Sequence, residues 1–187
     1  MAKPSVALHV ANIESDASYL SESKARSRAA GYHYLGPAPT DLKNITQTPR
    51  NGAIAVPCKI LKNVLASAAE AELAGLFLNG QEAIPERITL EELGHKQGPT
   101  PLTTDNATAN GIANDSIKQK RSKAMDMRFF WIKDRVRQGQ FHVYWTPGAL
   151  NLSDYATKHH PGKHHRRIRP AYLHMPTSNR FAPLTDL

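Results

Sequence analysis

The order of strand-like and helix-like segments is the feature that most constrains the fold of this 187-residue chain. Apolar and alternating patterns predict three early strands, at residues 5–14, 31–36 and 53–61. Pro57 lies in the third segment and predicts an edge strand or a bulge, because proline cannot donate a hydrogen bond to a neighbouring strand. The chain therefore begins with a three-stranded antiparallel unit.

The later part of the chain alternates between helical and strand patterns. Met125, Phe129, Ile132 and Val136 recur at the spacing of one buried helical stripe. The predicted helices are at residues 66–83, 84–93, 107–114 and 122–138, followed by a short helix that holds Asp154. The predicted strands are at residues 99–104 and 141–145. This order favours an α/β fold with a mixed sheet and helices on its faces.

Charge and length narrow the class of protein. A net charge of +8 and a pI of about 9.7 favour an anionic partner, either nucleic acid or an acidic membrane. No apolar run is long enough to predict a membrane span. Cys58 is the only cysteine, which excludes an internal disulfide framework and predicts an intracellular, cytoplasmic or nuclear location. We expect one domain over residues 1–160 and a basic tail rich in His, Arg and Pro over residues 161–187.

Four carboxylates lie where regular elements begin or end: Asp16, Glu70, Asp105 and Asp154. Carboxylate oxygens are the ligands that Mg²⁺ prefers, and two divalent ions about 4 Å apart stabilise both reacting oxygens of a phosphodiester. Each acid also has a simpler interpretation. Asp16 could form a turn, Asp105 could cap the next helix, and Asp154 could interact with a helix dipole.

Helix geometry separates Glu70 from its neighbour Glu72. Leu73, Ala74 and Phe77 follow Glu70 at i+3, i+4 and i+7, which predicts that Glu70 lies at or beside the sheet-facing side of the helix. Glu72 is predicted to face water. A boundary position for Glu70 that reaches solvent is the alternative.

Five short motifs together resemble the ribonuclease H domain that follows reverse transcriptase in copia-type LTR retrotransposon polyproteins. They are residues 15–19 (SDASY), 67–73 (SAAEAEL), 104–106 (TDN), 121–128 (RSKAMDMR) and 152–158 (LSDYATK). The last two are similar to the family signatures S-K-x-x-D-x-R and L-A-D-x-x-T-K. The resemblance covers about residues 5–160.

The resemblance implies a ribonuclease H-like fold with a mixed five-stranded sheet and helices on both faces. It implies Mg²⁺-dependent hydrolysis of the RNA strand of an RNA–DNA hybrid, with two ions and with Mn²⁺ as an alternative. Asp16, Glu70, Asp105 and Asp154 would be the catalytic residues and metal ligands. The implied partners are the hybrid and the reverse transcriptase of the parent polyprotein, with no membrane partner; the oligomeric state is left open.

The chain departs from many cellular ribonucleases H, which place a His in the loop before the last acid. Here residues 146–151 contain none, and His142 lies on the preceding strand. The alternatives are a non-catalytic fragment that only binds nucleic acid, and an integrase, which the context of Asp154 disfavours.

Several other residues are candidates for contacts outside the acidic set. Four basic residues are candidate phosphate contacts: Arg26, Arg28, Lys123 and Arg128. Trp131 and Trp145 are predicted to pack in the core, and Asp126 to form a salt bridge. The paired His residues after residue 158 are expected to belong to a flexible cationic tail rather than to a metal site.

Overall fold

The computed structural model describes residues 9–37, 52–118 and 126–173. Residues 5–8 of the first predicted strand, residues 38–51, Met125 and the end of the predicted tail lie outside these ranges. None of the helices in the described ranges is long and apolar enough to cross a bilayer.

A long antiparallel hairpin forms one half of the sheet. Strand β1 (His9–Glu22) pairs with β2 (Arg26–Pro37), and Asp16 lies opposite Ala30. The strand extends well past residue 14 because pairing with β2 continues to Ser18 and resumes at Glu22. Asp16 is therefore on the first strand, as the resemblance implies, but inside it rather than at its end, and the alternative that Asp16 forms a turn is wrong.

Pro57 divides the third predicted strand into two short edge strands. β3 (Ala53–Ala55) and β4 (Cys58–Ile60) both pair with β2, in antiparallel orientation. The Pro57 carbonyl still accepts a hydrogen bond from the Gly31 N–H at 2.9 Å. The edge position confirms the interpretation of Pro57, because its missing donor costs no central hydrogen bond.

Two parallel strands complete the sheet. β5 (Thr100–Thr104) pairs with β1, and β6 (Phe141–Trp145) pairs with β5. The order is β3-β2-β1-β5-β6, with β4 also on β2. This arrangement confirms the predicted mixed sheet.

Helices α1 to α3 cover one face of the sheet. α1 (Ala68–Glu92) is continuous, so the segments predicted at 66–83 and 84–93 are both helical but form one helix instead of two. α2 (Ala107–Ala113) and α3 (Asp126–Arg137) pack beside it around the main apolar core. A Cβ added at Gly75 would lie 3.1 Å from Ser15 Oγ, so this glycine permits the close approach of α1 to β1.

The opposite face of the sheet is covered by α4 (Asp154–Thr157) and α5 (Gly162–Tyr172). Ile168 of α5 is buried against Tyr32, Tyr34 and Leu152. The Tyr32 hydroxyl donates to the Ala171 carbonyl at 2.7 Å. Residues 162–172 thus form a packed helix instead of the predicted tail, because Ile168 and the aromatic residues provide an apolar stripe within the basic sequence.

Candidate metal centre

Three carboxylates converge at the carboxyl end of the parallel strands. One carboxylate oxygen from each of Asp16, Glu72 and Asp105 lies within 4.8 Å of the others. We call these three residues the carboxylate centre. In the part of the chain that the structure describes, no other group of His, Cys, Asp and Glu meets that spacing.

Sheet register places two of the three acids together. Glu14 of β1 pairs with Thr103 of β5, and each is two residues before an acid, Asp16 or Asp105. Because the two strands are parallel and adjacent, Asp16 and Asp105 lie side by side at the carboxyl end of β5. Asp105 directly follows β5, as predicted.

The helix contributes Glu72 to this site. Glu72 is 5% exposed, so the prediction that it faces water is wrong. Its Oε1 accepts a hydrogen bond from the Ala17 N–H at 3.0 Å, and its Oε2 accepts one from Thr104 Oγ1 at 3.1 Å. These contacts hold the carboxylate between β1 and β5.

The structure places Glu70 elsewhere, at the cap of α1. The Glu70 N–H donates to Ser67 Oγ at 3.2 Å, and Glu70 Oε2 accepts from the Ala66 N–H at 2.7 Å. This reciprocal arrangement resembles a capping box, in which both side chains satisfy backbone donors at the start of a helix. The carboxylate of Glu70 is therefore not brought to Asp16 and Asp105.

Two sequence signals could have separated these glutamates. Residues 67–70 read Ser-x-x-Glu, the capping-box pattern. The buried stripe of α1 includes Leu76, Asn79 and Ala83, which follow Glu72 at i+4, i+7 and i+11. Phe77, on which the choice of Glu70 depended, is only partly buried.

Asp154 lies beside the carboxylate centre and begins α4, as expected. Its carboxylate accepts a hydrogen bond from the Lys158 ammonium, and His160 Nε2 is 3.9 Å from its other oxygen. The charge of Asp154 raises the pKa values of Asp16 and Asp105, which places it within electrostatic range of both. Asp154 is nevertheless not one of the three residues of the carboxylate centre.

Burial and mutual repulsion raise the pKa values of the centre. Burial raises the pKa of Asp16 to about 6, although a hydrogen bond from Thr157 and the charge of Lys158 lower it. Burial, and then the charges of Asp16 and Asp105, raise the pKa of Glu72 to about 8. Burial likewise raises the pKa of Asp105, with Lys158 opposing the shift. A divalent cation at this site would favour the ionised forms.

Lys158 is the nearest compensating charge. Burial lowers its pKa, but the hydrogen bond to Asp154 and the charges of Asp16 and Asp105 raise it overall. The ammonium group thus balances part of the negative charge of the cluster.

Residues at the end of β6 and in the loop that follows it contact the backbone and side chain of the carboxylate centre. A Cβ added at Gly148 would lie 2.6 Å from Asp105 Oδ2, so only glycine leaves room for that carboxylate. Trp145 Nε1 donates to the Asp105 carbonyl at 2.8 Å, and Asn151 Nδ2 donates to the Ser15 carbonyl at 2.8 Å. Trp145 is 51% exposed, so its predicted core position is wrong, whereas Trp131 packs against the core as expected.

Two of the four predicted phosphate contacts have other partners in the structure. Arg28 is paired with Glu22 at 2.6 Å, and the Arg128 guanidinium lies 5.7 Å from the centre of the Phe77 ring. Arg26 is partly exposed at the start of β2, and Lys123 lies outside the described residues. Their contact with phosphate stays a prediction.

Asp126, His142 and His160 are three further residues that lie near the ends of α3, β6 and α4. The side chain of Asp126 lies outside the described part, so its salt bridge stays a prediction. His142 stacks on Tyr144, with ring centres 4.1 Å apart. His160, six residues after Asp154, lies with its Nε2 3.9 Å from the Asp154 carboxylate.

Comparison with solved structures defines the fold as that of ribonuclease H. LC11-RNase H1, isolated from compost, matches with a TM-score of 0.54 and 9% identity over 79% of this chain and 91% of that chain. The N-terminal RNase H domain of a Mycobacterium tuberculosis protein matches with a TM-score of 0.52 and 14% identity over 79% and 98%. LC11-RNase H1 in complex with an RNA/DNA hybrid matches with a TM-score of 0.51 and 8% identity over 75% and 88%.

A sequence relative confirms the resemblance to a copia-type element. The chain is 31% identical over 107 residues to the Retrovirus-related Pol polyprotein from transposon TNT 1-94 of Nicotiana tabacum. That match covers 57% of this chain and 8% of the polyprotein, so the chain spans a small part of its relative. No family model matches the chain.

Proposed function

We propose that this chain is the ribonuclease H domain of a copia-type retrotransposon polyprotein and that it hydrolyses the RNA strand of RNA–DNA hybrids. The observation that carries the proposal is the carboxylate centre, in which three acids from β1, α1 and β5 converge within 4.8 Å. Carboxylates placed at such spacing repel one another unless a cation lies between them.

The oxygen-only ligand set fits a hard divalent cation such as Mg²⁺, with Mn²⁺ as an alternative. Asp16, Glu72 and Asp105 would hold it. Two divalent ions about 4 Å apart would stabilise the attacking and leaving oxygens of a phosphodiester.

The chain's own residues prepare this site. Thr157 donates a hydrogen bond to Asp16 Oδ2, and the Ala17 N–H orients Glu72. Asp154 lies beside the centre, with one carboxylate oxygen in an ion pair with Lys158 and the other 3.9 Å from His160 Nε2. Glu72 therefore replaces Glu70 in the proposed set of four acids.

The comparisons support the proposal at the level of fold and family resemblance. A solved relative of the same fold is in complex with an RNA/DNA hybrid, and the sequence relative is a Pol polyprotein. We infer that the domain acts inside the cell, alongside the reverse transcriptase of the same polyprotein.

The direct test is cleavage of a hybrid with a labelled RNA strand in the presence of Mg²⁺. The chain should release labelled fragments, and EDTA should stop the reaction. Asp105→Asn should lose this activity because it removes a charged ligand. Asp115→Asn is a matched control: Asp115 is paired with Lys133 and Arg137, and its φ of 61° is one that Asn tolerates.

Equal cleavage by Asp105→Asn and the unaltered chain would overturn the enzymatic role. Hybrid binding without cleavage by the unaltered chain and Asp115→Asn would instead define a domain that only binds nucleic acid.

A further inference from the structure

Positive charge is concentrated in one short stretch after Asp154. Residues 155–173 contain five Lys and Arg residues and no Asp or Glu. The rest of the chain then has 19 basic residues against 16 acidic ones. More than half of the net charge of +8 therefore comes from about a tenth of the chain.

Helix α5 sorts these charges onto its outer side. Ile168 is 6% exposed and faces the sheet. At about 100° per residue, Lys163 and Arg166 lie on the side of the helix opposite Ile168, Arg169 lies on the adjoining flank, and all three are exposed. We call these three residues the α5 surface. Among the described residues, none of the three has a carboxylate partner within salt-bridge distance.

Aromatic contacts tie α5 to α4, the helix that begins with Asp154. The Tyr155 ring stacks on His160 and His164, with ring centres 5.5 and 6.0 Å apart. The Tyr155 hydroxyl also hydrogen-bonds to His165 Nδ1 at 2.8 Å, and the Tyr172 hydroxyl donates to the Leu152 carbonyl. The α5 surface therefore has a fixed position relative to the carboxylate centre.

We propose that the α5 surface binds the phosphate backbone of a nucleic-acid duplex beyond the carboxylate centre. This inference rests on the proposed function for the identity of the duplex, an RNA–DNA hybrid. An 11-residue helix is about 16 Å long, which matches the axial rise of about five base pairs. Each unpaired cation along the helix can neutralise one phosphate of the duplex.

A nucleic acid fits this surface better than an anionic membrane. Helices that bind membranes insert an apolar side into the lipid. Here the apolar side of α5 is buried against Tyr32, Tyr34 and Leu152, and only the charged side is free. The remaining interaction is electrostatic, as in backbone contacts to phosphate.

The test is the salt dependence of hybrid binding by Arg166→Gln/Arg169→Gln. Binding of a fluorescent 20-base-pair hybrid would be followed by anisotropy in EDTA, over a range of NaCl concentrations. Each phosphate contact contributes about 0.9 to the slope of log K against log salt concentration, so the double variant should lose about 1.8. The Arg166→Lys/Arg169→Lys variant should keep the slope, because charge alone suffices for this contact.

A charge-matched control is Lys96→Gln/Arg137→Gln. Lys96 precedes β5 and Arg137 precedes β6, so both lie at the opposite end of these strands from Asp105. This control should leave the slope nearly unchanged. Equal thermal unfolding of all the variants would show that α5 stays folded.

An unchanged slope in Arg166→Gln/Arg169→Gln, or an equal loss in the control, would overturn the proposal. So would arginine-dependent binding to phosphatidylserine vesicles without an effect on the hybrid. Cleavage of the hybrid is measured separately with the unaltered chain. If that chain does not cleave but the double variant has a reduced salt slope, the proposed ribonuclease activity is refuted and the proposed binding surface is kept.

Discussion

The carboxylate centre and the α5 surface carry opposite charges on neighbouring parts of the molecule, and they are built differently. The carboxylate centre is set by sheet register and by one helix that crosses it closely at Gly75. The α5 surface depends on a late helix held by a few aromatic and apolar contacts. Buried acids create a need for cations, whereas exposed cations create affinity for phosphate.

Lys158 lies where these two regions meet. Its ammonium contacts Asp154 and interacts with the charges of Asp16 and Asp105. The residue belongs to the basic stretch by sequence and to the acidic cluster by position. Lys158 therefore connects the two regions electrostatically.

The largest expected effect comes from pH. The folded pKa of Glu72, about 8, is above the ordinary value of 4.5, and that of Asp16, about 6, is above 3.8. A carboxyl group with a raised folded pKa contributes stability below its unfolded pKa and loses it as pH rises through the folded pKa. The free energy of unfolding in EDTA should therefore fall from about pH 4.5 to about pH 8, by on the order of a few kcal/mol.

Urea unfolding near the two ends of this range would measure the fall. Glu72→Gln should show a smaller fall, because the amide does not titrate, and saturating Mg²⁺ should restore stability at the higher pH. An equal fall in Glu72→Gln and the unaltered chain would contradict the burial of an ionisable group there.

A second change disturbs the carboxylate centre without touching the α5 surface. In Gly148→Ala the new methyl group would displace the Asp105 carboxylate, which lies 2.6 Å from the Cβ position. We expect Mn²⁺ affinity, measured from the paramagnetic resonance signal of the free ion, to fall about 10- to 100-fold. Ala149→Gly, at the exposed neighbouring residue, is the control and should keep the affinity.

A third and smaller effect is expected at Lys158. Lys158→Met removes the cation beside Asp154 and should lower the free energy of unfolding in EDTA by about 0.5–1 kcal/mol, since the side chain is 46% exposed. Excess Mg²⁺ should reduce the difference. Lys163→Met, which removes an unpaired cation, should change stability less. Equal losses in both variants would show that Lys158 has no special role in balancing the acids.

The sequence predicted most of the fold because periodicity, prolines and motif order are local signals. The mixed sheet, the helix at 66–83 and the placement of Asp105 after a strand all follow from such patterns. The resemblance to copia-type elements also indicated that α1 supplies an acid.

The parts that sequence reasoning missed depend on non-local packing. The Ser-x-x-Glu pattern and the spacing of Leu76 from Glu72 are present in the sequence, but the polar contacts that hold the buried Glu72 carboxylate come from β1 and β5 and follow only from the packed sheet. The sequence of α5 predicts a tail because its single apolar stripe, including Ile168, is short and surrounded by charges. Trp145 looked like a core residue because alternation along β6 does not reveal that its end is open to solvent.

The most direct test of the central claim compares Glu72→Gln with Glu70→Gln in Mg²⁺-dependent hydrolysis of an RNA–DNA hybrid. Both changes remove one charge from the same helix, and Gln at residue 70 can still complete a capping box. Glu72→Gln should lower the rate at least about 100-fold, because loss of a residue that only supports a metal ligand already costs up to about 100-fold. Glu70→Gln should have a rate close to that of the unaltered chain. A large loss in Glu70→Gln with full activity in Glu72→Gln would contradict the carboxylate centre.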